Sequence, residues 1–152
     1  MLTVTTPYRA AAIGVGVVAG LAVFTFGYAK GASYLTDDPE ACANCHVMRD
    51  HLGSWRRSSH RVAAVCNDCH TPAGTIAKYT TKARNGLFHS IAFTTGGFPD
   101  KIYITVRNRE VAGAACLKCH EDMVSALRPA GMHAQRLDCL RCHRGAGHAL
   151  YE

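Results

Sequence analysis

Cysteine and histidine recur in this chain in one frame. Cys42-Ala-Asn-Cys45-His46, Cys66-Asn-Asp-Cys69-His70, Cys116-Leu-Lys-Cys119-His120 and Cys139-Leu-Arg-Cys142-His143 use all eight cysteines and leave none over. Two thiols three residues apart can add to the two vinyl groups of one haem, and the histidine that follows then lies beneath the iron. A single frame is a weak signal, because zinc and thiol-redox sites also use C-x-x-C; four frames without a spare cysteine are a strong one. Zinc knuckles would not need a histidine after every pair. Cysteines so close in sequence also make poor structural staples compared with distant ones. The frames therefore specify four covalent c-type haems, on the oxidising, extracytoplasmic side of a membrane.

Four irons offer eight axial positions, and the frame histidines His46, His70, His120 and His143 can fill four of them. His51, His60, His89, His133 and His148 remain, and imidazole is a common distal ligand. His60 lies six residues before the second frame and His148 five after His143, each too near in sequence to serve its neighbouring haem, so each reaches a different one. His133, His89 and His51 are further candidates, in that order. Met48 stands two residues after His46, and a thioether ligand would raise the potential of the first iron; spacing alone does not choose between His46 and Met48.

Several elements must position these groups. Ala10 to Ala29 is twenty residues without a charge, and a helix of that length spans about 30 Å, one bilayer core. Arg9 precedes it and Lys30 follows; Gly27-Tyr28-Ala29 also has the look of a signal-peptide cleavage site. The run exceeds the usual apolar stretch of a signal peptide, so a retained anchor with a cytoplasmic stub is expected over residues 1–30. Residues 31–152 then form the tetrahaem domain, with about thirty residues per haem, too few for a conventional side-chain core. An all-α architecture follows: one N-terminal transmembrane helix, then short helices and loops wrapped on porphyrins, with no sheet. The frames fall into two pairs, 24 and 23 residues apart, separated by an insert from Thr71 to Ala115. Thr75–Phe93 has helical composition, Thr94 to Pro99 breaks it, and Lys101–Val111 is expected as a second short helix.

The net charge of +6 and pI near 9.0 would by themselves suggest an anionic partner. Eight haem propionates take +6 to −2, and four ferric centres return it to about +2 on formal charges. Arg56, Arg57 and Arg61 then suit propionates or lipid headgroups, and no helix-turn-helix or aromatic-basic repeat points to nucleic acid.

The anchor, the four frames, Cys42-Ala-Asn-Cys45-His46-Val47-Met48 and the closing Cys142-His143-Arg144-Gly145-Ala146-Gly147-His148 together resemble the NapC/NirT family of membrane-anchored tetrahaem cytochromes c. Within it the chain is most similar to the NrfH-like branch, the small subunits of cytochrome c nitrite reductase. The resemblance implies a single-pass protein of the inner membrane with its haems on the periplasmic side. It implies oxidation of menaquinol and delivery of electrons to a pentahaem catalytic subunit that converts nitrite to ammonia, in a hetero-oligomer. By the same resemblance Met48 binds the iron of haem 1 and His46 is released. His148 would serve haem 2, His60 a haem of the second pair, and Lys82 the quinol site near haem 1. Seven residues after Lys82, where that branch suggests a carboxylate, this chain has His89. Two helical turns put Lys82 and His89 on one face, where His89 can take a quinol proton or bind iron 1. His133 would remove the need for a ligand supplied by the partner. Two other readings stay open, a NapC-type quinol dehydrogenase feeding another reductase and a plain multihaem electron carrier.

Overall fold

A computed structural model describes residues 5–99, 101–127 and 137–148. Its contacts divide the chain into two compact units, Met1–Thr36 and Asp37–Glu152. Every regular element among the described residues is a helix, which agrees with the all-α expectation.

The first unit is α1, Thr5–Tyr28, followed by the tight turn Gly31–Leu35. Thr6–Tyr28 has a mean hydropathy of 2.1, and its helix touches so little protein that large side chains such as Val15, Leu21 and Phe24 are exposed. A helix that is apolar on every side is not amphipathic; it suits a solvent that is itself apolar. Lys30 ends it in the left-handed region, φ 51°, while Ala29 and Lys30 still donate to the Thr25 and Gly27 carbonyls. Gly31 must be small there, because a Cβ would meet the Phe26 ring at 2.3 Å.

Among the described residues the second unit holds seven α-helices: α2 Pro39–Cys42, α3 Arg49–Trp55, α4 Cys66–His70, α5 Thr75–Thr95, α6 Val106–Ala115, α7 Leu117–Leu127 and α8 Cys139–Cys142. Each start has a local cause. Asp38 caps α2 by accepting from the Glu40 N–H at 2.9 Å, with Pro39 supplying a pre-set first turn. At α4 the Asp68 carboxylate reaches back to the Val65 N–H at 2.8 Å. Gly96, at φ 69°, closes α5.

α5 follows the expected helix closely, running two residues beyond Phe93. The next helix does not. It was expected over Lys101–Val111 and instead occupies Val106–Ala115, because Thr105 accepts the Asn108 N–H at 3.3 Å and fixes the start five residues later. Ile102 and Ile104 precede that cap in a segment without regular secondary structure.

α6 is the hub, packing on α4, α7 and α8 and so linking the second, third and fourth frames. It can approach them closely because its buried residues are Ala112 and Ala115. Elsewhere the core is sparse. Ala41 and Leu52 are the other buried apolar residues, and no large side chain among the described residues is fully buried. Protein interiors are normally filled by such side chains; here side chains alone do not form the core, which fits a chain wrapped on cofactors.

Candidate functional site

None of the eight cysteines is in a disulfide, and sulfurs of successive frames lie near one another. The Cys66 thiol hydrogen-bonds the Cys42 sulfur, holding the Cys42 thiol down at about 7 and pushing Cys66 up. In the second pair, burial raises the Cys116 thiol, with Cys139 beside it adding to the effect. Cys69 is raised by burial and by its charged neighbour Asp68, and it also feels Cys119 across the gap between the pairs. The first frame thus abuts the second, the second the third, and the third the fourth.

Lys118, a variable residue of the third frame, ties two frames together. Its ammonium donates to the Asp68 and Thr71 carbonyls, each at 2.7 Å, at the end of the second frame's helix. Four terminal carbonyls of any helix lack a partner within it, and a lysine there also meets the negative end of the dipole. Nothing in the spacing singles out Lys118, since any polar residue is acceptable between the two cysteines of the frame. Arg109 plays a similar part between α6 and α8, with both Asp138 oxygens accepting from it at 2.9 and 3.1 Å. Arg56 pairs with Glu40.

The histidines pair across long stretches of chain. His70 and His148 have parallel rings, 1° apart, with centroids separated by 6.2 Å. His60 and His120 show the same 6.2 Å separation at 75°. Two imidazoles on opposite sides of one iron, each with a metal–nitrogen bond of about 2 Å, place their centroids about 6 Å apart. The mutual angle of the ring planes is unrestricted, since each ring turns about its own metal–nitrogen bond. His60 Nδ1 hydrogen-bonds the Ala146 carbonyl at 3.0 Å, which leaves Nε2 as the nitrogen able to bind a metal. His51 packs edge-on to His148 with centroids 5.0 Å apart, a neighbour that sequence spacing did not suggest.

The protein packed around His70 lowers its pKa although part of its surface stays open, and His148 and His51 add to the shift; burial and then His51 lower His148. Both shifts favour the neutral imidazole, the form that binds iron. No three His, Cys, Asp or Glu side chains among the described residues converge on a bare metal site. The donor set instead fits haem: thiol pairs in register with a histidine, imidazoles at the separation an iron would span, and apolar residues without a core.

In the first frame His46 and Met48 lie in one tight turn, with Met48 half-buried and His46 exposed. His143 caps the end of α8, its N–H on the Cys139 carbonyl at 2.9 Å. His133 lies outside the described residues. On α5, Lys82 is half-buried beside Asp37, with Nζ to Oδ1 at 3.8 Å, and it lies near enough to Cys42 to favour that thiolate. His89, two turns on, is exposed.

The profile of the NapC/NirT cytochrome c family, N-terminal region, matches residues 5–152. The chain is 37% identical over 141 residues to the cytochrome c-type protein NrfH of Wolinella succinogenes, covering 85% of this chain and 78% of that one. It is 34% identical over 133 residues to the cytochrome c nitrite reductase subunit NrfH of Nitratidesulfovibrio vulgaris, covering 88% and 77%. A solved structure of a cytochrome c nitrite reductase NrfHA complex bound to the inhibitor HQNO aligns over 91% of this chain and 88% of its counterpart, with a TM-score of 0.58 and 32% identity. Frames, imidazole pairs and alignments over nearly the whole length agree, and the chain belongs to the NapC/NirT cytochrome c family.

Proposed function

We propose that this chain is a tetrahaem quinol dehydrogenase subunit: it takes electrons from menaquinol in the inner membrane and passes them to the catalytic subunit of a cytochrome c nitrite reductase. The observation that carries the reading is the pair of 6.2 Å imidazole couples in a chain 37% and 34% identical to proteins named NrfH. Nitrite chemistry belongs to the pentahaem partner. The haems, once attached, supply one-electron chemistry, and the protein's part is to hold and tune them.

Each residue has a task in this proposal. Cys42 and Cys45, Cys66 and Cys69, Cys116 and Cys119, and Cys139 and Cys142 anchor one haem each. Met48 binds the first iron, with His46 as the alternative. His70 with His148 holds the second, and His120 with His60 the third. His143 holds the fourth, whose opposite face is left to His133 or to a group of the catalytic partner. Lys82 binds a quinol oxygen beside the first haem, and His89 takes up a proton. Residues 1–30 are the cytoplasmic stub and anchor, and residues 31–152 the periplasmic domain.

The test is spectroscopic and kinetic. Pyridine haemochrome analysis of the purified chain should return four haems, and His148→Met and His60→Met should each remove a different bis-imidazole signal from the electron paramagnetic spectrum. Unchanged spectra in both variants would sink the ligand scheme. Lys82→Ala membranes should reduce the haems slowly with naphthoquinol yet normally with dithionite; a wild-type quinol rate would sink the quinol site. Co-purification with a nitrite-reducing multihaem protein is expected, and a nitrate reductase in its place would favour the NapC-type reading.

A further inference from the structure

Lys82 does not stand alone on α5. Lys78, one turn earlier, shares its face. Both ammonium groups meet the Asp37 carboxylate, Lys78 in a direct ion pair and Lys82 at 3.8 Å. From the other side Asn67, between the cysteines of the second frame, donates to Asp37 at 2.7 Å. Exposure rises outward through this group, from 13% for the Lys82 side chain to 25% for Lys78 and 49% for Asp37. The Tyr79 ring lies 5.6 Å from the Lys82 ammonium and lines the same pocket of charge.

An ammonium withdrawn this far from water loses hydration unless a carboxylate compensates it. Lysine also carries its charge on four flexible carbons, so it is poorly aimed without a fixed partner. Asp37 supplies both needs, and it is itself fixed at two further points. Hydrogen bonds from Lys78 and then Asn67 hold its carboxyl below the usual carboxylate range, so it stays ionised. Quinol oxidation places growing negative charge on an oxygen as its proton leaves, and a pre-aimed ammonium stabilises that charge.

We propose that Asp37 is a positioning residue of the quinol site, whose carboxylate, braced by Asn67 and Lys78, keeps the Lys82 ammonium aimed beside the Cys42 attachment point. The inference rests on the quinol-site reading above, and Asp37 acts through Lys82 without touching the quinol.

Four variants of the full chain in membranes test it: Asp37→Asn, Asp37→Glu, Lys82→Met and the double variant Asp37→Asn/Lys82→Met. HQNO affinity is measured by equilibrium binding, and kcat/KM by naphthoquinol-driven haem reduction. Lys82→Met and Asp37→Asn should each weaken HQNO binding and lower kcat/KM about tenfold, as expected for loss of a charge-assisted contact. Asp37→Glu should recover most of both, with dithionite-reduced spectra unchanged throughout. In the Lys82→Met background, Asp37→Asn should cost less than about twofold more. If Lys82→Met weakens binding while Asp37→Asn does not, the role of Asp37 is overturned and the quinol site stands. Fully additive losses also overturn it, since Asp37 would then act through the fold. If Lys82→Met itself has no effect, the quinol-site reading falls and takes this inference with it.

Discussion

At the scale of single residues, the proposed chemistry depends on imidazoles free to bind iron and on a Lys82 held by its partner. The sign of the histidine effect is fixed by the direction of the shifts. His70 and His148 both lie below the ordinary value of 6.5, so an unfolded or ligand-free histidine binds its proton first as pH falls. Their contribution to stability is therefore complete above that ordinary value and is lost as acid carries the pH down through the lowered one. Iron and a proton compete for the same ring nitrogen, so the low-spin spectrum of the second haem should hold through 6.5 and be lost only at lower pH. A decline that instead began well above 6.5 would contradict the assignment of these two imidazoles. Lys118 belongs to the same scale. Lys118→Met should lower the unfolding free energy of the haem-loaded protein by about 1–2 kcal/mol, discounted for its exposure, with Lys118→Arg recovering part. Denaturant titration followed at the haem band measures it. The frame histidines could be read from the sequence because attachment chemistry demands them at a set offset. Lys118 and Asp37 could not, nor could the contact of His51 with His148, since only folding brings them within reach of residues far away in the chain.

At the scale of elements, local signals predicted some boundaries and missed others. α5 ends where Gly96 permits the left-handed turn that other residues resist. Gly96→Ala should therefore cost about 1 kcal/mol through its positive φ, since an added Cβ meets nothing within 4 Å. The start of α6 was placed too early because composition over Lys101–Val111 cannot reveal which threonine will cap. Thr105→Ala should fray that start and cost about 1 kcal/mol. α6 itself tests the hub. Ala112 is buried on the helix that packs against α4, so Ala112→Leu should overpack the contact and cost about 1–3 kcal/mol. Thermal melts of the haem-loaded protein distinguish the three, the alanine-to-leucine change having the largest effect.

For the whole molecule, the thin side-chain core matters most. Alanines and one leucine are the buried apolar residues described, and large apolar side chains such as Phe88, Ile91 and Tyr103 remain exposed. Such a chain cannot offset its conformational entropy by side-chain burial alone. Removing one haem through Cys66→Ala/Cys69→Ala should therefore collapse the whole second unit, because α4 packs on the hub helix. Limited proteolysis should then degrade residues 37–152 as a unit; a protected, haem-deficient domain would argue against a cofactor core.

The sequence by itself determined the cofactor type, the number of attachment frames, the apolar anchor and the family resemblance. Those features are local: a thioether frame occupies five residues, and a bilayer-length helix needs only an uninterrupted apolar run. Tertiary structure decided which histidines face each other, which frames abut, and what Lys82 touches. His60 meets His120 sixty residues on, and Asp37 meets Lys82 forty-five residues on. Short-range patterning carries no information about such encounters, because imidazole geometry and ion pairing act through space after the helices have packed.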